Sequence, residues 1–459
     1  MLEAISIIFN KSLDEGSIPE IWRCANVIPI FKKGQRDEPL NYRPVSLTCV
    51  LCKLFETIIK NRILKDLEKD DFLINEQHGF RSNHSTTTNL LEFYNEVILN
   101  LDNKNAVDIL YFDLAKAFDT VPHSKLINKL KSMNINKKLV AWIEDYLKGR
   151  KQRVLVRGVL SEWLEVFSGV PQGSVIGPLL FLIFINDIKE GILSRLSIFA
   201  DDTKLMHIVN TPEEISELEN DLKKLQKWSE DNDMKFNTTK CSVMHCGLNN
   251  KKMQYELYGE ILRETESEKD LGVIVDKDMK FKNQVMAQTK KANKALGMIK
   301  RNFECVNQEI FQILYSVLVR PHLEYAVQVW NPYLIGEKEK IEKVQRRATK
   351  IVKEIKNIPY EQRLKQLNLM STETRRQRGD MIMTYKIMTN KVNIDKNVLL
   401  KSNETRTRGH TMKLCKTTML SDTRINFFSN RVVNKWNDLS QKTVSSINLD
   451  SFKKAYDQE

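Results

Sequence analysis

Along the 459-residue chain, apolar positions recur every three or four residues in some stretches and bunch into short runs in others, which separates helices from strands. Leu2, Ile5, Ile8, Phe9 and Leu13 predict a helix. After Gly16 and Pro19, residues 25–31 read as a strand and Lys32-Lys33-Gly34 as its turn. Leu51, Leu54, Ile58, Ile59 and Ile63 predict a helix over 50–67. Residues 107–112 read as a strand, and a helix starts after Pro122. Residues 154–156 and 164–167 flank a hairpin-like turn, and Ser174 caps a buried helix to about residue 188 with Pro178 early in it. Two apolar runs, 196–200 and 204–208, enclose Asp201-Asp202 as a hairpin. Ile215, Leu218, Leu222, Leu225 and Trp228 keep helical spacing.

This mixture lacks a regular strand–helix alternation, so an α+β fold is expected. Beyond about residue 280 the pattern turns mainly helical, which places a boundary at 276–300. An amphipathic helix is expected over 341–351, with Ile341, Val344, Ala348 and Ile351 on one face and Lys343, Arg346, Arg347 and Lys350 on the other.

Composition narrows the class. Hydrophobic residues make up 41% and charged residues 29%, with 16 Gly and 11 Pro, which is a globular balance and excludes disorder and fibrous repeats. The longest apolar run, 175–185, is far short of the roughly 20 residues that a spanning helix needs, so no membrane is expected. Seven scattered Cys and no signal segment point to an intracellular, unsecreted protein of the nucleus or cytoplasm. Residues 1–276 carry 36 basic and 41 acidic side chains, a net −5, whereas 277–459 carry 36 and 18, a net +18. A nucleic acid held by the C-terminal part and a basic surface kept for solubility explain that excess equally well.

The candidate chemistry lies in strand-end carboxylates. Asp113 follows an apolar strand, and Asp201-Asp202 sit at a hairpin tip. Adjacent carboxylates repel, so an exposed turn or a bound cation must relieve them. Two Mg²⁺ ions held by such acids assist in-line displacement at phosphate. An isolated Asp-Asp pair is more often a solvated turn.

The wording around these acids resembles reverse transcriptases of non-LTR (LINE-type) retrotransposons, close to the jockey-like and chicken-repeat-like elements. Phe112-Asp113-Leu114-Ala115-Lys116-Ala117-Phe118-Asp119, Gly169-Val170-Pro171-Gln172-Gly173-Ser174, Phe199-Ala200-Asp201-Asp202 and Phe236-Asn237-Thr238-Thr239-Lys240 follow the order of that family's motifs A to D. The likeness extends through Asn41-Tyr42-Arg43-Pro44, Gln77-His78-Gly79-Phe80-Arg81, Asp270-Leu271-Gly272-Val273, Arg320-Pro321-His322-Leu323-Glu324-Tyr325 and Arg406-Thr407-Arg408-Gly409-His410.

The resemblance implies a right-hand polymerase, with fingers and palm over 1–276 and a helical thumb with a basic C-terminal region over 277–459. It implies RNA-templated addition of dNTPs to a DNA 3′-hydroxyl. Asp113, Asp201 and Asp202 would be the metal-binding acids for two Mg²⁺, with Mn²⁺ able to substitute. Lys240 would be the general acid. Lys32 or Lys33 with Arg43 would grip the triphosphate, Phe118 would bar a ribose 2′-hydroxyl, and Gln172 and Gly173 would approach the nucleotide. Gln77, Gly79 and Arg81 would touch the template, and Leu271-Gly272 would form the primer grip. The implied partners are template RNA, a DNA primer and dNTPs.

Periodicity alone reads Phe118 as a core aromatic and Lys240 as a surface lysine. Cys49-x-x-Cys52 and the group Cys241, His245 and Cys246 read as core packing, since neither has a second ligand pair at zinc spacing. The family's Gly-rich opening motif, upstream endonuclease, RNase H region and zinc knuckle are not found. The chain therefore reads as a truncated frame or one domain of a longer polyprotein. Two other functions stay open: a catalytically inactive relic that only binds nucleic acid, and an RNA-dependent RNA polymerase, against which Phe118 and Ala200 argue.

Overall fold

The computed structural model describes residues 2–402 and 409–459. Arg406, Thr407 and Arg408 of the last quoted motif lie outside them.

Val107–Phe112 forms the middle of a five-stranded sheet because both its neighbours supply apolar partners. In order, the strands are Arg263–Glu264, Ser242–Cys246, Val107–Phe112, Asp202–Ile208 and Arg195–Phe199. Arg263–Glu264 runs parallel to Ser242–Cys246, and the other pairs are antiparallel. All six residues of Val107–Phe112 are buried, so both faces of the sheet are covered. Strand alternation divides them between two cores. Val107, Ile109 and Tyr111 join a core with the helix Thr86–Asp102 and the C-terminal helices, while Leu110 and Phe112 join the N-terminal core.

The N-terminal part carries a second sheet, in which Cys24–Phe31 pairs antiparallel with Tyr42–Leu47 and parallel with Arg150–Val156. The expected hairpin is longer than its apolar residues suggested. Arg150–Val156 pairs through its far end with Val159–Leu160 and through its near end with Leu164–Val166. Lys151 and Arg153 supply ladder backbone there without any apolar signal.

The buried helix is Gly177–Ile185, continued as a 3₁₀ turn over Asn186–Lys189. Its first amides are met by Ser174 Oγ, which accepts from Gly177 N at 3.0 Å, and by the buried Glu56, whose Oε2 accepts from Val175 N at 2.6 Å and Ile176 N at 3.1 Å. An anion at a helix N-terminus is stabilised by the dipole, which explains an acid inside this apolar core.

Pro212–Asp231 begins with a capping box between Thr211 and Glu214. The C-terminal part is helical, led by Lys282–Asn302, Ile335–Thr349 and Thr372–Met388. Ile341, Val344 and Ala348 are buried as the stripe predicts, and Lys343, Arg346, Arg347 and Lys350 are exposed. Ile351 falls beyond the helix end. No helix among the described residues is long and apolar enough to cross a membrane.

Candidate active site

Asp113 leaves the sheet at the end of Val107–Phe112, and the chain following Lys235 folds back along it. Leu114 bridges Phe236, and Asn237 N donates to the Asp113 carbonyl at 2.7 Å. That return places Lys240 Nζ 2.6 Å from Asp113 Oδ2, with both side chains partly open to solvent.

Ala200 and Asp201 form the turn between Arg195–Phe199 and Asp202–Ile208, Asp202 opens the second strand opposite Phe199, and Ala200 takes a left-handed φ of +57°. A non-glycine residue holds such a conformation only where its surroundings fix it. Gln77 does so. Its Oε1 accepts from Ala200 N at 2.9 Å and from Gly79 N at 2.7 Å, and its Nε2 donates to the Ala200 carbonyl at 3.2 Å. Gln77 was expected to contact the template, but it is 2% exposed and its amide is used inward, on the aspartate hairpin. Arg81 likewise donates to the carbonyls of Ile74, at 2.6 Å, and Gln77, at 3.2 Å. Nothing in the sequence separates an amide that reads a template from one that braces a turn.

Burial, followed by the nearby Asp113 charge, raises the Asp201 carboxyl above its usual range. Asp202 is pushed up to about 6 by desolvation in the crowded turn and by Asp201, Asp270 and Asp113. Because the Asp202 side chain stays open to solvent, the like charges are the firmer cause. Asp270 was quoted within a family motif but given no role by the sequence reading. It is buried and bonded to Lys204, itself buried, and accepts from Tyr94 Oη at 2.6 Å.

One cavity of about 1100 Å³ collects Asp113, Asp201, Lys240, Lys32, Arg43, Phe118, Gln172 and Gly173. A smaller one of about 430 Å³ holds Asp202, Lys33 and Leu271 and shares Asp113 and Lys240. The two sequence lysines thus point to different spaces, and it is Lys32 that shares a cavity with Arg43. Arg36, which the sequence reading passed over, also lines the larger cavity and lies 5.2 Å from the Phe31 ring centroid.

Phe118 stacks on Phe181 at 4.6 Å between centroids and meets the edge of Phe80 at 6.1 Å, so the ring is held firmly while one side borders the cavity. Gln172 Nε2 donates to Asp119 Oδ1 at 3.0 Å. Ser46 N donates to the Gln172 carbonyl at 2.7 Å, which draws the loop so close that a Cβ on Gly173 would meet Ser46 O at 2.5 Å. At φ +117° only glycine fits there.

Among the described residues no three His, Cys, Asp or Glu side chains form a metal-ligating group. The oxygen donors nonetheless fit a small hard cation. Mg²⁺ is usually held by one or two carboxylates together with substrate phosphates and water, without a full protein cage. Away from the site, Cys52 is buried with Sγ 3.3 Å from Glu56, and His245 Nδ1 lies 2.7 Å from Asp108.

The chain is 28% identical over 373 residues to the probable RNA-directed DNA polymerase from transposon BS of Drosophila melanogaster, covering 78% of this chain and 41% of that protein. It is 30% identical over 383 residues to the RNA-directed DNA polymerase from mobile element jockey of Drosophila funebris, covering 79% and 40%. The chain therefore spans about two fifths of the length of these relatives. Telomerase from Candida albicans superposes with a TM-score of 0.41 at 12% identity over 77% of this chain and 68% of that one, too loosely to argue from. The family model for reverse transcriptase (RNA-dependent DNA polymerase) matches residues 30–298, one unbroken stretch holding the aspartates, the Gln172 loop and the Leu271 turn. With more than half of its length inside that match, the chain belongs to the reverse transcriptase family.

Proposed function

We propose that this chain is an RNA-directed DNA polymerase of the non-LTR retrotransposon type, extending a DNA 3′-hydroxyl with dNTPs on an RNA template. The observation that supports this best is the gathering of two strand-end acids, a cationic pair and Phe118 around one cavity. In this reading residues 1–276 are fingers and palm, and 277–459 are the thumb and a basic C-terminal region.

Asp113 and Asp201, with Asp202 beside them, would hold divalent cations, Mg²⁺ by the oxygen chemistry of the site. When bound, such ions supply charge stabilisation to the attacking and leaving oxygens of the displacement. The other roles fall to the chain itself. Lys32 and Arg43 bind the triphosphate, Arg43 through its forked donors. Gln172 and the backbone at Gly173 orient the nucleotide. Lys240 must part from Asp113 when the cavity fills, and it is then placed to give a proton to the leaving pyrophosphate.

Purified full chain, oligo(dT)-primed poly(rA), Mg²⁺ and dTTP test the proposal, with primer extension as the expected result. Retained primer-template binding without extension would leave the inactive relic, and equal use of UTP would favour the RNA polymerase reading.

Phe118→Val tests the sugar gate. Shortening the ring opens the space a 2′-hydroxyl needs, so rNTP discrimination is expected to fall about tenfold or more with only a modest loss of dNTP use. Unchanged discrimination in competition assays would return Phe118 to a purely packing role on Phe181.

A further inference from the structure

Leu271 and Gly272 form the turn between Ser267–Asp270 and Val273–Asp276, at left-handed φ values of +45° and +90°. Positive φ at both residues suits a two-residue hairpin loop, and glycine takes it freely, but the leucine is strained there and gains from an external hold. It comes from outside the family match, from Tyr325. The tyrosine hydroxyl donates to the Leu271 carbonyl at 2.7 Å and lies 3.0 Å from Thr86 Oγ1, at the start of Thr86–Asp102. The ring lies against the glycine, where an added Cβ would come within 3.1 Å of Tyr325 Cε1.

Tyr325 is itself anchored more firmly than its 42% exposure suggests. Its carbonyl accepts from the indole of the buried Trp330 at 2.8 Å. Its neighbour Glu324 is held by Arg375 at 2.5 and 3.0 Å, and Ala326 turns the chain sharply at φ +50°. The motif from Arg320 to Tyr325 thus builds a rigid arm ending in one hydroxyl. On the other side of the turn, Asp270 is bonded to Lys204, and Leu271 borders the same cavity as Asp113 and Asp202.

We propose that Tyr325 is a positioning residue that latches the Leu271–Gly272 turn, so that the C-terminal helices set the height at which a primer terminus meets the aspartates. The inference rests on the polymerase reading for its consequence in catalysis, while the latch itself is a property of the free protein. Lys32, Arg43 and Gln172, to which the polymerase reading gives the nucleotide, line the larger cavity and not the one that Leu271 borders, so the latch does not touch them.

The test uses the full chain and Tyr325→Phe, which keeps the ring and removes the hydroxyl, with Thr86→Val as a second variant. Hydrogen exchange in the unliganded protein should quicken at residues 270–273 in Tyr325→Phe while the strand Val107–Phe112 is unchanged. In primer extension the KM for primer-template should rise roughly fivefold, the size expected for one lost hydrogen bond. The KM for dNTP should not move, and products should shorten. Thr86→Val should give the same pattern more weakly. Unchanged exchange at 270–273 overturns the latch, as does an equal rise in both KM values, which a merely structural fault would give. If the unmodified chain extends no primer, the polymerase reading fails, and the exchange measurement still decides the latch.

Discussion

Asp201→Asn and Asp113→Asn should each reduce dNTP incorporation by about 100-fold or more while primer-template affinity stays within about twofold. The missing charge is one that would face a cation worth several kcal/mol to the transition state, whereas the phosphates of a duplex would be met by basic side chains and not by these acids. Stability separates this outcome from misfolding. The Asp201 carboxyl is raised in the folded chain by burial and by Asp113, so its ionisation opposes folding, and that cost is present once the pH exceeds the folded value. Asparagine removes the cost, and the melting temperature of Asp201→Asn at neutral pH should equal or exceed that of the unmodified chain. Asp113→Asn loses a half-exposed ion pair with Lys240, worth at most about 1 kcal/mol. Incorporation above a tenth of the unmodified rate in either variant, at saturating Mg²⁺, would remove these acids from the metal site.

The acids were legible because strand ends announce themselves: an apolar run that stops at Asp113 and another that stops at Asp201 leave little choice of geometry. The order of the family motifs then supplied the roles, which spacing alone could not. What stayed hidden is polar and buried. Gln77 bracing Ala200, Glu56 holding the first turn of Gly177–Ile185, and the Lys204–Asp270 pair each act across more than 60 residues of chain, and none alters a local pattern. Their side chains look like ordinary surface residues until folding turns them inward. The helix Thr86–Asp102 was missed for a related reason: Asn89, Tyr94 and Asn95 are buried among its apolar residues, so no clean polar face marks its period. The strand-and-helix mixture and the helical C-terminal part follow the alternation and periodicity that were visible, whereas the right-hand reading came from the family resemblance. The core shared by the N- and C-terminal parts follows from neither, because it is made by contacts between distant segments.

That shared core governs the last prediction, which concerns the +18 net charge of residues 277–459. Ending the chain after Asp276 would separate charge from chemistry if the two parts folded independently. They share one core instead. Val285, Leu296, Ile299 and Trp330 pack with Val107, Ile109, Tyr111, Met206 and Met244. Each large apolar side chain uncovered costs about 1.5–3 kcal/mol, and a handful exceed the roughly 5–15 kcal/mol that holds a typical domain together. The shortened chain should therefore aggregate or melt without a cooperative transition in circular dichroism, and cooperative melting near the temperature of the full chain would show the palm to be self-sufficient. The charge is better tested in place. Lys290, Lys291 and Lys294 are exposed on Lys282–Asn302, on positions separate from its buried stripe of Val285, Ala292, Leu296 and Ile299. Replacing all three with Gln should leave the melting temperature within about 2 °C, since surface substitutions away from packing change little. Each lysine that touches a phosphate releases counterions on binding, with a log–log salt slope of about −0.7 to −0.9 per contact. The triple variant should therefore bind a labelled primer-template with a slope shallower by roughly 1 to 2 and with lower affinity at 50 mM salt. An identical slope would mean that this helix face is a solvated surface, and that the phosphate contacts belong to Lys32, Arg36 and Arg43 on the far side of the cleft.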